Sequence, residues 1–248
     1  MVGVERALVL LKDIALAPDG AGVRDLARSR GYSPSVVAKS LQALLSQGFV
    51  EQDPTTRRYR VGPVTLQVGL ASLARLDLRR AARPHLESLA AESGETALLG
   101  VRSGDVAIYI DKVLVPTEIR VDAPLGAPRP FNCTAVGKVL LAHLAEGEFS
   151  RLAASGAFVA ATAHSVIDST ALRLELANIR ERGVAMDHEE FIAGVTCVAA
   201  PVRNHDAEVV AAVTAAGPIQ RVSVVQARIA QQVFACAKSI SAALGYAE

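Results

Sequence analysis

The chain has 248 residues, 51% of them hydrophobic, enough apolar material for one large core or two modest ones, which excludes a disordered polymer. Its 26 Lys and Arg nearly balance 25 Asp and Glu, so a net charge of +1 excludes a general polycation. The balance is uneven along the chain: residues 1–62 carry nine basic against six acidic side chains, and residues 63–248 seventeen against nineteen.

Three cysteines, Cys133, Cys197 and Cys236, form no CxxC pair, which speaks against a disulfide framework and for a reducing compartment. The opening MVGVERALVL runs into an amphipathic pattern with a charged pair inside it, unlike a signal peptide. No uncharged apolar run reaches the roughly 18 residues that a membrane span needs, so a cytoplasmic protein is expected.

From Val4 to Ala17, the residues Ala7, Leu10, Leu11 and Ile14 fall at the spacing of a helix with one buried stripe. APDGAG breaks it, and Val23, Leu26 and Ala27 mark a short second helix that stops at Gly31. Ser33 is suited to cap a third helix through its side chain, and Pro34 to open it. The buried stripe of that helix is Val37, Leu41, Leu44 and Leu45, and Gly48 ends it. Ser35, Lys39, Gln42 and Ser46 then point away from the core, flanked by Val36 and Ala43. FVEQD, PTT and RRYRV predict a hairpin with Arg57, Arg58 and Arg60 on its second strand. Three short helices and a basic hairpin within about sixty residues spell a winged helix-turn-helix.

Beyond Pro63 the pattern is helical, with Leu66, Leu70, Leu73 and Leu76 on one face and Pro84 expected to divide a linker helix from the next one. After Gly94, TALLGVRSG, VAIYIDKV and EIRVDAP read as strands. A helix from Thr134 to about Leu144 and another from Ser169 to Arg182 follow, then the strands VTCVAAPV and EVVAAVTAAG and a last helix from about Val224 to Leu244. The expected fold is α+β: a winged helix-turn-helix over 1–62, a linker helix over 63–78 and a sensor-type α/β domain over 79–248.

Together these stretches resemble the IclR family of bacterial transcription regulators over nearly the whole chain. ERALVLLKDIA, VRDLARSRG and LLSQGFVEQDPTTRRYRVGP stand where that family has its helix-turn-helix and wing. RPHLESLAAESGET, VAIYIDKV, TAVGKVLLAHL, IRERGVAMDHEEFIAGVTCVAAPV and VVAAVTAAGP follow the effector domain in order and spacing. The resemblance implies a GAF-like effector-binding domain, assembly as a homodimer or tetramer, a palindromic double-stranded DNA operator as partner, and no cofactor. The function it implies is a ligand-responsive regulator, a repressor of a catabolic operon that senses a small organic acid.

For DNA, base edges would be read by the third helix through Ser35, Val36, Lys39, Ser40 and Gln42, with Lys39 able to reach a guanine and Val36 a thymine methyl. Arg57, Arg58 and Arg60 suit phosphate or minor-groove contact, or are solvated charges. Family members usually carry KSTVHRLL here, and this chain has PSVVAKSL, with Ala38 at the usual histidine and Lys39 at the usual arginine. The operator sequence therefore does not transfer.

For the effector, FNCTAVGKVLL puts Cys133 and Thr134 at a helix start, where the amides of Ala135, Val136 and Gly137 are expected as free donors for a carboxylate. By position in the resemblance, Ala135, Val136, Asp187, Cys197, Thr214 and Ala216 line the pocket. Members that bind small oxo-acids often have serines at the last two positions, so Thr214 and Ala216 imply a more apolar pocket for a larger or aromatic acid. Cys197 also reads as a small buried hydrophobe, and Cys236 as core. His188 beside Asp187 lacks the spacing of a metal set, and Glu189 with Glu190 reads as a solvated pair. Two alternatives stay open: a thiol enzyme or redox sensor using Cys133 as a lowered-pKa thiolate, and a dimerisation module with a degenerate reading helix.

Overall fold

The structure, a computed structural model, describes residues 3–74 and 77–247. It comprises two compact units, Met1–Leu76 and Asp77–Glu248.

In the first unit, α1 (Gly3–Ala15), α2 (Val23–Arg30) and α3 (Pro34–Ser46) pack their apolar stripes together. Leu10, Ile14, Leu26, Val37, Leu41 and Leu44 are buried at the centre. The left-handed Gly31 ends α2, its amide donating to the Ala27 carbonyl. At the start of α3 the Ser33 carbonyl accepts from the amides of Val36 and Val37. The expected side-chain cap is absent: the Ser33 hydroxyl lies 3.2 Å from that of Ser35 instead.

β1 (Val50–Gln52) and β2 (Tyr59–Val61) form the hairpin, and Tyr59 also pairs with Ala21, which adds the loop after α1 to the same small sheet. Only Arg60 lies on the second strand. Arg57 and Arg58 belong to the turn, where Asp53 accepts from the amides of Thr55 and Thr56 and so draws the chain round earlier than alternation alone suggests. α4 (Pro63–Ala74) starts against this unit, with the Thr65 hydroxyl 2.7 Å from the Phe49 carbonyl. Of the apolar face predicted for the linker, Leu66 is exposed. Leu70 and Leu73 are described by backbone alone, and Leu76 lies outside the described residues.

The second unit opens with α5 (Asp77–Ser93), which runs through Pro84. The predicted division there does not occur. Pro84 is exposed, while Ala82, Leu86, Leu89 and Ala90 are buried. Their burial outweighs the roughly 3 kcal/mol that an interior proline costs a helix.

β3 (Thr96–Ser103) and β4 (Val106–Val113) follow, then a two-residue β5 (Pro128–Arg129), α6 (Ala135–Ala142), α7 (Glu146–Ala154) and α8 (Ser169–Arg182). β6 (Ala185–His188), β7 (Val195–Arg203), β8 (Val209–Pro218), the short α9 (Ile219–Val222) and α10 (Gln226–Ala243) complete the chain. The sheet order is β5-β4-β3-β8-β7-β6, antiparallel throughout.

Side chains alternate between two cores. Ala97, Leu99, Val198, Ala200, Val213 and Ala215 pack on α5 and α10, while Leu98, Tyr109, Ala199, Ala212 and Ala216 pack on α6, α7 and α8. Both faces are covered, which explains why β7 and β8 are apolar at nearly every position.

EIRVDAP, expected as a strand, is a loop. The β4 edge is taken by β5, and side chains replace the ladder: Arg221 holds the Ile119 carbonyl at 3.0 Å and Lys112 that of Ala123 at 3.1 Å.

Candidate functional site

The exposed face of α3 carries Ser35, Lys39 and Gln42, while Val36 and Ser40 are half-buried beside it. The Ser40 hydroxyl donates to the Val36 carbonyl at 3.1 Å, so its proton is already engaged. On the hairpin, Arg57 and Arg60 are exposed. Arg58 is tied inward: its guanidinium donates to the carbonyls of Asp19 at 3.1 Å and Gly20 at 2.8 Å and lies 3.5 Å from the Asp25 carboxylate. It clamps the hairpin to the loop between α1 and α2. Arg24 and Arg28, also exposed, extend the basic surface along α2, and the sequence reading missed them because they sit outside the reading helix.

In the second unit, a cavity of about 250 Å³ opens between the sheet, the loop 120–124 and the segment after β6. Of the predicted effector residues, Thr134, Asp187, Cys197 and Ala216 line it. The antiparallel register sets Asp187 opposite Cys197 and Cys197 opposite Ala216, so three neighbouring strands deliver them side by side. Ala135, Val136, Gly137 and Thr214 are buried but are not among its lining residues. Gly137's amide is not free as expected. The Thr134 hydroxyl accepts from it at 3.1 Å and donates to the Pro130 carbonyl at 2.7 Å.

The lining also includes Leu98, Tyr109, Arg129, Phe191, Ile192 and Val195, which sequence reasoning passed over. Tyr109 lay in a strand whose inward positions were visible. Arg129 and Phe191 lay in loop-like segments without period, where nothing in the sequence marked their direction.

Beneath the cavity, Lys138 is fully buried on α6. Its ammonium meets Glu190 at 2.5 Å, Glu175 at 2.6 Å and the Met186 carbonyl at 3.3 Å. These three acceptors use its three donors. Glu190, expected to be solvated, is therefore a buried partner, and Glu189 accepts from the Gly194 amide at 2.6 Å. Asp187 accepts from the Glu190 amide at 2.7 Å. Burial pushes its carboxyl up to about 7, and Glu190 adds to the rise against the opposing pull of the amide bond and Lys138.

Cys133 is buried and its thiol is pushed up to about 12, first by burial and then by Asp187 and Glu190. That is the reverse of an activated thiolate. Burial pushes Cys197 up as well, and Cys236 sits in the core with its thiol 3.4 Å from the His85 carbonyl. Among the described residues no group of three His, Cys, Asp or Glu is placed to hold a metal, and no helix is long and apolar enough to cross a membrane.

Comparison with known proteins agrees with both units. Residues 3–54 match the IclR helix-turn-helix domain, and residues 70–242 match the bacterial transcriptional regulator IclR C-terminal domain. The chain is 32% identical over 244 residues to the HTH-type transcriptional regulator XynR of Escherichia coli K12, covering 98% of this chain and 97% of that protein. It is 32% identical over 220 residues to the transcriptional repressor IclR of the same organism, covering 88% of this chain and 80% of the repressor. A solved IclR transcriptional regulator from Alicyclobacillus acidocaldarius superposes with a TM-score of 0.83 at 27% identity, over 99% of this chain and 100% of that one. The Thermotoga maritima IclR gives 0.69 at 29% identity, over 98% of both chains.

Proposed function

Because the chain belongs to the IclR family of DNA-binding transcriptional regulators, we infer that it is a ligand-responsive repressor of a catabolic operon whose effector is a small organic acid. The observation that carries this reading is the cavity itself: about 250 Å³, mostly apolar, with Thr134, Asp187, Cys197 and Ala216 in its wall. Ala135, Val136, Gly137 and Thr214, also expected at the effector site, are buried and outside that lining.

A homodimer or tetramer reads a palindromic operator through two copies of α3, with residues 63–78 joining reading head to sensor. Ser35, Lys39 and Gln42 meet base edges, with Val36 and Ser40 flanking them at the helix surface. Arg57 and Arg60, with Arg24 and Arg28, supply phosphate contacts. An effector that prefers one arrangement of the sensors shifts the spacing of the two α3 helices and so the affinity for half-sites one helical turn, or a multiple, apart.

Fluorescence anisotropy on DNA from upstream of its own gene, across a salt series, tests the division of labour. Gln42→Ala is expected to cost about 1–3 kcal/mol on that DNA with little change on random DNA, while Arg60→Ala weakens both and lowers the salt slope by about one. If neither variant alters binding to the upstream DNA, the reading head lies elsewhere.

A further inference from the structure

Two cations border the cavity. Arg120 is exposed and donates to the Thr117 carbonyl at 3.0 Å, and Arg129 is half-buried. The nearby carboxylate of Asp122 is already paired with Lys112. Arg129 takes part in no ion pair among the described residues, and it donates a long hydrogen bond, 3.3 Å, to the carbonyl of Pro128.

What holds Arg129 is aromatic. Its guanidinium carbon lies 5.6 Å from the centroid of Tyr109 and 5.4 Å from that of Phe191. These contacts come from distant parts of the sheet. Arg129 stands on β5, the outermost strand on one side, and Phe191 follows β6, the outermost strand on the other. In a flat six-stranded sheet the two edges would lie about 24 Å apart, at the usual strand spacing. The sheet curls round the cavity, and Arg129 closes the gap between its edges. Two rings restrict the guanidinium before any ligand arrives, and its N–H edges remain available for a planar, two-oxygen acceptor.

The rest of the lining is largely apolar: Leu98, Val121, Ile192, Val195 and Ala216. Asp187 competes less than a solvated carboxylate would, because burial pushes its carboxyl up to about 7. Resting on the reading of this cavity as the effector site, we propose that Arg129 is the anchor for the effector's carboxylate. The pocket then takes monocarboxylic acids with a compact apolar or aromatic body and discriminates against their amides. Dicarboxylic acids are disfavoured, because a second carboxylate would have to leave water for the apolar lining.

The test is calorimetry and thermal shift on the full chain with benzoate, 4-hydroxybenzoate, phenylacetate and pentanoate, each paired with its primary amide. At least one acid is expected to bind, and its amide to bind at least about tenfold more weakly, as befits a lost charge-assisted pair. Arg129→Gln is expected to lose about tenfold or more in affinity for that acid, with its affinity for the amide unchanged and its ligand-free melting temperature lowered by no more than the few degrees that two lost ring contacts cost. Arg129→Lys should be intermediate. Phe191→Leu, which removes one of the two rings and keeps the charge, is expected to weaken the acid several-fold and leave the amide alone. If acid and amide bind equally, or Arg129→Gln binds the acid as the wild type does, the anchor is wrong and the pocket reading survives. A chain that answers to no acid and no amide overturns both.

Discussion

Asp187 is 3% exposed, borders the cavity and lies beside the buried Lys138–Glu190 pair, accepting from the Glu190 amide. Its carboxyl rises from 3.8 to about 7 because burial disfavours the charge more than the Glu190 amide and Lys138 favour it. The folded chain therefore holds a proton that the unfolded chain releases between about pH 4 and 7, so this group's contribution falls as pH rises through that window. Asp187→Asn keeps a neutral group and an acceptor for the Glu190 amide at every pH. Urea unfolding at pH 5 and pH 8 is expected to show the wild type losing roughly 1–2 kcal/mol more than the variant between those values. Equal losses would mean that Asp187 is ionised throughout.

Asp187 was legible as a pocket residue through resemblance alone. The Lys138–Glu190 pair beneath it was not, because a lysine inside an apolar helix and a glutamate beside another carboxylate both read as surface until the sheet brings them within 2.5 Å.

At the scale of the element, the hairpin is less a free wing than a clamped one. Tyr59 pairs with Ala21 in both directions at 2.9 Å, and Gly20, at φ +70°, leaves room that a methyl would fill by meeting the Tyr59 carbonyl at 2.6 Å. Arg58 adds its bonds to Asp19 and Gly20 at the same junction. Arg58→Ala is therefore expected to destabilise the first unit by about 1–2 kcal/mol, while Arg57→Ala lowers the salt slope of DNA binding and leaves the melting curve alone. An Arg58→Ala protein with unchanged melting and a reduced salt slope would return Arg58 to the phosphate-binding group.

The helices of this unit were legible because period, Gly31 and Pro34 all point the same way. The roles of the three arginines were not, since RRYR distinguishes neither turn from strand nor inward from outward. The same limit made a strand of EIRVDAP, whose carbonyls are bonded by Arg221 and Lys112 from elsewhere in the chain.

At the scale of the whole molecule, we propose that residues 1–62 read DNA and that the cavity walled by the curl of the second unit's sheet senses the effector. Order and spacing of motifs carried the family; the curl that sets Arg129 against Phe191 depends on tertiary structure and has no sequence period. In the proposed mechanism, occupancy of this cavity changes the affinity for DNA. It is tested most directly by measuring affinity for the upstream DNA with and without a saturating concentration of an acid shown to bind the cavity, in the wild type and in Arg129→Gln. A change of at least about fivefold is expected in the wild type, the lower end of ordinary coupling between sites, with the variant needing about tenfold more acid for the same change. An acid that saturates the wild-type cavity and leaves its DNA affinity unchanged would contradict it.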